Sequence, residues 1–196
     1  MTDTTASDVE TDAPKLRADA VRNRARLVEA ARALFLAGPV DAEVSLEQVA
    51  REAGVGIGTL YRHFPTRLAL LEAVYREEVD GLRQSAEQLS ADHPPLEALE
   101  LWLEVFIDYA ATKKHIFHEL VEATGRDSEL ITHSRATMSA AAEQIVGAAQ
   151  QSGDIRTDVN APDVLRLVGG CTMMPNFDRA QLDRILKVVI DGLRTR

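Results

Sequence analysis

Three groups of side chains in this sequence could do chemistry, each of a different kind. His115 and His118 stand three apart in KKHIFHEL, so a helix would put them on one face, and with His133 further along they could hold a zinc ion as part of a helical enzyme. Cys171 is the single cysteine, so it has no intrachain disulfide partner and could act only as a lone thiol; a small buried apolar side chain is the plainer reading. The third group is the run AREAGVGIGTLYRHFPTR at 50–67, where Gly54, Gly56 and Gly58 fall within five residues. Each glycine inside a helix costs roughly 1 kcal/mol relative to alanine, so something must require them.

The enzyme reading finds little support. The HExxH spacing of a helical zinc site is absent, and there is no nucleophile elbow, phosphate-binding loop or paired-carboxylate motif, so no metal or cofactor is expected. Net charge is −9, which by itself disfavours nucleic acid as a partner, because phosphates must be met by Lys and Arg. The sum hides a gradient. Residues 1–14 carry four acids and no base, residues 15–76 carry ten bases and seven acids, and residues 77–196 carry twelve bases and twenty acids. Only the block containing the glycine run is basic.

Hydrophobic residues make up 45% and aromatics 5%, with Ala, Leu, Glu and Arg abundant and no alternating β-branched runs, so an all-α protein is expected. Residues 1–14 are polar and acidic, which reads as a disordered tail and not a secretory signal. No uncharged stretch is long enough to span a membrane, and with the lone cysteine this points to a cytoplasmic protein. From Ala18 to Leu36, Leu27, Ala31, Leu34 and Phe35 recur at helical spacing, with Arg22, Arg24, Arg26 and Arg32 on the other side. Ser45 with Gln48 three residues on predicts a capping box and a helix from Leu46, ended by Gly54. A short helix over 57–63 must stop at Phe64, before Pro65, and Thr66 can cap the next, long helix. Further helices are predicted at about 95–113, 115–124, 128–151, 162–174 and 178–194, about nine in all.

Two short helices joined by a glycine turn describe a helix-turn-helix, whose second helix enters the DNA major groove. Counting Leu46 as first, Ala50 is fifth, Gly54 ninth and Leu60 fifteenth, where the motif needs a small residue, a turn glycine and a buried anchor. On these residues, SLEQVAREAGVGIGTLYRHFPTRLALLEAV resembles the DNA-binding domain of the TetR (tetracycline-repressor-like) family of bacterial transcription regulators. The resemblance covers about residues 19–75. It implies a three-helix DNA-binding domain at 15–65, joined to a larger helical regulatory domain at 66–196 that binds a small ligand and dimerises.

Carried onto this chain, the resemblance implies that Gly54 and Gly56 shape the turn and that Gly58 lets the second helix approach the sugar-phosphate wall. It implies phosphate contacts from Tyr61 and His63, a base or phosphate contact from Thr59, and Arg67 where the family often has lysine at the start of the fourth helix. Ser45 is expected to add a phosphate contact. The family often has a polar pair after AGV, whereas this chain has Gly56 and Ile57. Arg62 is then the main candidate for reading guanine, with Ile57 against thymine methyls. Arg22, Arg24 and Arg26 are either phosphate contacts or a solvated face.

In the remainder, WLEVFIDYAATKKHIF onward resembles the regulatory domain of an actinobacterial-type subgroup. Trp102, Phe106, Tyr109, Phe117, His118 and Met138 are the candidate ligand-binding residues, although the aromatics also suit a plain core. The family's dimers pair their last two helices, here about 162–174 and 178–194. Gly169 and Gly170, and the apolar side of the last helix (Leu182, Ile185, Leu186, Val189, Leu193), fit such an interface. The expected whole is a ligand-responsive repressor that binds double-stranded DNA as a homodimer at a near-palindromic operator. An activator, or a ligand-independent DNA-binding protein, shares the same motif.

Overall fold

The structure is a computed structural model of the chain and describes residues 12–37, 44–172 and 178–195. Eight helices run through these residues: α1 (Asp12–Ala37), α2 (Leu46–Glu52), α3 (Ile57–His63), α4 (Arg67–Asp92), α5 (Pro95–Thr124), α6 (Glu129–Gln151), α7 (Ala161–Thr172) and α8 (Arg179–Leu193). Among the described residues there is no strand, only a single bridge between Ile155 and Arg194. The fold is all-α, as the composition requires.

Two boundaries differ from the sequence reading. Most of the tail assigned to 1–14 lies outside the described residues, but Asp12, Ala13 and Pro14 belong to α1. Proline is tolerated in a first helical turn because the N–H it lacks would have no partner there. The segments predicted at 95–113 and 115–124 are one helix of 30 residues, about 45 Å long. Lys113 and Lys114 interrupt the apolar pattern but break nothing, since neither lacks a backbone N–H. The helix stops only at Gly125, whose φ of 85° ends the α geometry while its N–H still donates to Val121 O at 2.8 Å.

The chain divides into two compact units, with the division between Val74 and Tyr75, inside α4. In the first unit, α1 contributes Leu27, Val28, Ala31 and Phe35 to a core completed by Val49, Ala50, Leu60, Phe64, Leu70 and Leu71. In the second, Trp102 is fully buried on α5, and its indole N–H donates to Leu82 O on α4 at 2.9 Å, which removes the cost of an unpaired buried donor. The same unit also buries Leu99, Leu103, Ile116 and Leu120 of α5, with Ile131, Ala142 and Ile145 of α6. Among the described residues no helix is long and apolar enough to cross a membrane.

Candidate nucleic-acid interface

The start of α2 is built by a local exchange of hydrogen bonds. Ser45 Oγ accepts from the Gln48 N–H at 3.2 Å, and Gln48 Oε1 accepts from the Ser45 N–H at 2.8 Å. This is the capping box read from the sequence, and it leaves the Ser45 hydroxyl proton available to a further acceptor. At the other end Gly54 takes φ 60°. Its N–H donates to Arg51 O at 3.1 Å and the Val55 N–H donates to Ala50 O at 2.9 Å, the paired bonds of a Schellman stop.

The other two glycines are different. Gly56 precedes α3 with φ −62° and ψ 141°, ordinary extended backbone, so the turn that was assigned to Gly54 and Gly56 rests on Gly54 alone. A Cβ added at Gly56 or Gly58 would meet nothing within 4 Å. The chain's own packing therefore has no use for these two glycines.

α3 is two-sided. Leu60 is 0% exposed and anchors the helix, whereas Ile57 is 41% and Tyr61 45% exposed, unusual for such large apolar bodies. Arg62 lies on the exposed side, where its Nε donates to Gly58 O at 3.3 Å and its Nη2 to Thr59 Oγ1 at 2.8 Å, so Thr59 and Arg62 present one connected polar group. His63 is half-buried against Phe64, with ring centroids 6.3 Å apart. The Arg24 guanidinium sits 5.5 Å from the Phe64 centroid, Arg22 pairs with Asp19, and Arg26 is exposed beside Gly54.

Arg67 takes a role that sequence reading missed. Its guanidinium donates to Val44 O and lies 5.9 Å from the Phe35 ring centroid, which ties the start of α4 to the segment before α2 and to α1. Thr66 caps α4 by accepting from the Ala69 N–H at 3.1 Å.

In the second unit, residues of α5, α6 and α7 surround a cavity of about 720 Å³, within the range of small-molecule sites. Phe106, Tyr109, Phe117 and Met138, candidates for ligand binding in the sequence, line it together with Lys113, Lys114, Arg126 and Arg166. His118 lines the rim with its side chain 90% exposed and Nδ1 3.8 Å from Glu122. Trp102 does not line the cavity; its indole is committed to Leu82, so its assignment to ligand binding is corrected to core. Lys113 Nζ stands 4.3 Å from the Phe117 centroid and 5.8 Å from that of Tyr109. Burial, and then the nearby Arg135 charge, hold its pKa below the ordinary lysine value. Burial pushes the Tyr109 and Tyr75 hydroxyls, 3.5 Å apart, above the usual tyrosine range.

Among the described residues no cluster of three His, Cys, Asp or Glu could hold a metal ion. His118 and His133 are exposed, and the His115 side chain lies outside the described residues. Cys171, expected to be buried, is half-buried, with its thiol donating to Leu167 O at 3.2 Å.

Residues 27–74 match the family model for bacterial regulatory proteins of the tetR family, and residues 94–195 match the C-terminal domain of SbtR-like transcriptional regulators. The chain belongs to the TetR family. A TetR transcriptional regulator from Streptomyces coelicolor is 40% identical with a TM-score of 0.75, covering 87% of this chain and 98% of that one. A TetR regulatory protein from Mycobacterium vanbaalenii is 34% identical with a TM-score of 0.70, covering 92% and 99%. An HTH-type transcriptional regulator from Staphylococcus aureus is 31% identical over 104 residues, 53% of this chain and 56% of that protein, so the match spans little more than half of the curated relative. As a TetR-family protein the chain is a DNA-binding transcriptional regulator, and α2 and α3 fall within the residues that match the tetR-family model.

Proposed function

We propose that this TetR-family regulator is a cytoplasmic, ligand-responsive repressor that binds a near-palindromic operator as a homodimer. The observation that carries the DNA contact is the exposed side of α3, where Ile57, Gly58, Tyr61 and the joined Thr59–Arg62 pair stand opposite the buried Leu60. Arg62 reads a guanine edge and Ile57 packs on thymine methyls. Tyr61, His63 and the Ser45 hydroxyl contact phosphates. Gly56 and Gly58 leave the space for backbone approach, and Arg67 holds α4 in register behind them.

Dimerisation uses α7 and α8. Most of the apolar side of α8 is used within the chain, since Leu186, Val189, Ile190 and Leu193 are buried. What supports an interface is the remainder: Val188 is 72% and Leu167 53% exposed, and a Cβ at Gly170 would meet nothing within 4 Å, which leaves room for a partner helix. The cavity between α5, α6 and α7 receives the effector. A ligand that prefers the DNA-free conformation by about 3 kcal/mol weakens operator binding roughly 150-fold, through α4, which belongs to both units.

The test is selection of duplexes from a random pool by the purified protein, followed by sedimentation of Val188→Glu. A two-fold-symmetric selected site, and a shift of the variant toward monomer, are the expected results. Sites with no symmetry, or a wild-type protein that is monomeric at micromolar concentration, refute the dimer.

A further inference from the structure

The cavity reverses the charge of the unit that contains it. Residues 77–196 carry twenty acids against twelve bases, yet the lining holds four basic side chains and a single carboxylate, Glu122. Arg126 is exposed, Arg166 is exposed with Asp163 at 4.0 Å, and Lys114 is half-buried like Lys113 but, among the described contacts, lies over no ring. Lys113 is the exception. Its ammonium is half-buried against the faces of Phe117 and Tyr109, and no carboxylate among the described residues lies within ion-pair distance. The neighbouring charge that bears on it is another cation, Arg135. Aromatic faces compensate a desolvated cation in part, but a charge withdrawn from water without a counter-ion remains costly.

Three kinds of ligand can be weighed against this arrangement. A cation is repelled by Lys113 and Arg135. A neutral apolar molecule covers the ammonium and strips its remaining water without replacing it. An anion with an apolar body supplies the missing counter-charge while its body lies along Phe106, Phe117 and Met138. Resting on the assignment of this cavity as the effector site, we infer that the effector is an apolar, aromatic-sized molecule bearing one carboxylate-type anionic group, with Lys113 as its counter-charge.

Two dyes with the same aromatic body separate charge from shape: 1-anilinonaphthalene-8-sulfonate, which carries an anion, and N-phenyl-1-naphthylamine, which does not. Their binding to the full chain is followed by fluorescence titration. The wild type is expected to bind the sulfonate at one site per chain and more tightly than the neutral dye. Lys113→Met weakens the sulfonate by about tenfold or more, as loss of a charged hydrogen-bond partner does, and leaves the neutral dye within about threefold. Lys113→Arg keeps the sulfonate within about threefold. Lys113→Gln repeats the loss should the methionine variant fail to fold. Unchanged sulfonate binding in both neutral variants, or equal loss of both dyes, overturns the counter-charge while leaving the cavity as a ligand site. A wild type that binds neither dye removes the effector-site assignment together with this inference.

Discussion

Gly54 and Gly58, on either side of the α2–α3 junction, are predicted to respond to alanine with opposite signs. At Gly54 the backbone is left-handed, φ 60°, which costs an L-residue about 1–2 kcal/mol. A Cβ there would stand 2.8 Å from Arg26 Nη2, but that is the tip of a flexible side chain and swings away, so strain sets the magnitude. Gly54→Ala should lower the melting temperature by roughly 4–8 °C per kcal/mol lost if the first unit melts independently. At Gly58, inside α3 with nothing within 4 Å of the added methyl, alanine should instead stabilise by about 0.5–1 kcal/mol. The same methyl then stands between α3 and DNA. An extra carbon in an already close contact costs about 1–3 kcal/mol, so operator affinity should fall roughly 5- to 150-fold. Thermal unfolding by circular dichroism gives the first number, and fluorescence anisotropy on a selected duplex at fixed salt gives the second. A Gly58→Ala protein that melts higher and still binds like the wild type would falsify close approach as the reason for that glycine. A Gly54→Ala protein with unchanged stability would refute the turn.

Three further outcomes follow from named contacts. Arg62→Ala should relax base preference at one operator position by about 1–3 kcal/mol with little change in melting, since its partners Gly58 and Thr59 are solvent-accessible; equal losses on specific and random duplexes would count against base reading. Arg67→Ala should lower stability by about 1.5–3 kcal/mol, because a charged hydrogen bond to Val44 O and the Phe35 contact are lost together, and should weaken all duplexes alike; a normal melting curve with weakened DNA binding would return Arg67 to the DNA contact that the family resemblance implies. Lys113→Met should raise the melting temperature at pH 7. The folded-state pKa of Lys113 is lowered, so its cost to stability is fully present below that pKa and is relieved as pH rises toward the ordinary value of 10.5; the advantage of the variant should therefore narrow over that interval, and a constant difference would refute burial of the charge.

The sequence by itself determined the reading head, because the signals there are local. Ser45 and Gln48 are three residues apart, Gly54 sits one place past its helix, and Pro65 with Thr66 separates two helices whatever the rest of the chain does. Leu60 followed from its place in the motif, fifteenth counting from Leu46. Tertiary structure decided the features whose partners are distant in the chain. The resemblance makes Gly56 a turn residue beside Gly54, yet its backbone angles need no special conformation. Arg67 stands among the DNA-contacting residues by resemblance, but its guanidinium donates to Val44, twenty-three residues away. Trp102 and Phe106 share one helical stripe, but the carbonyl of Leu82 fixes the first in the core, while the second faces the cavity beside α7. Lys113 has no sequence motif at all. Its significance depends on which rings surround it and on the absence of a described carboxylate nearby, and those are properties of packing, which period and composition do not encode.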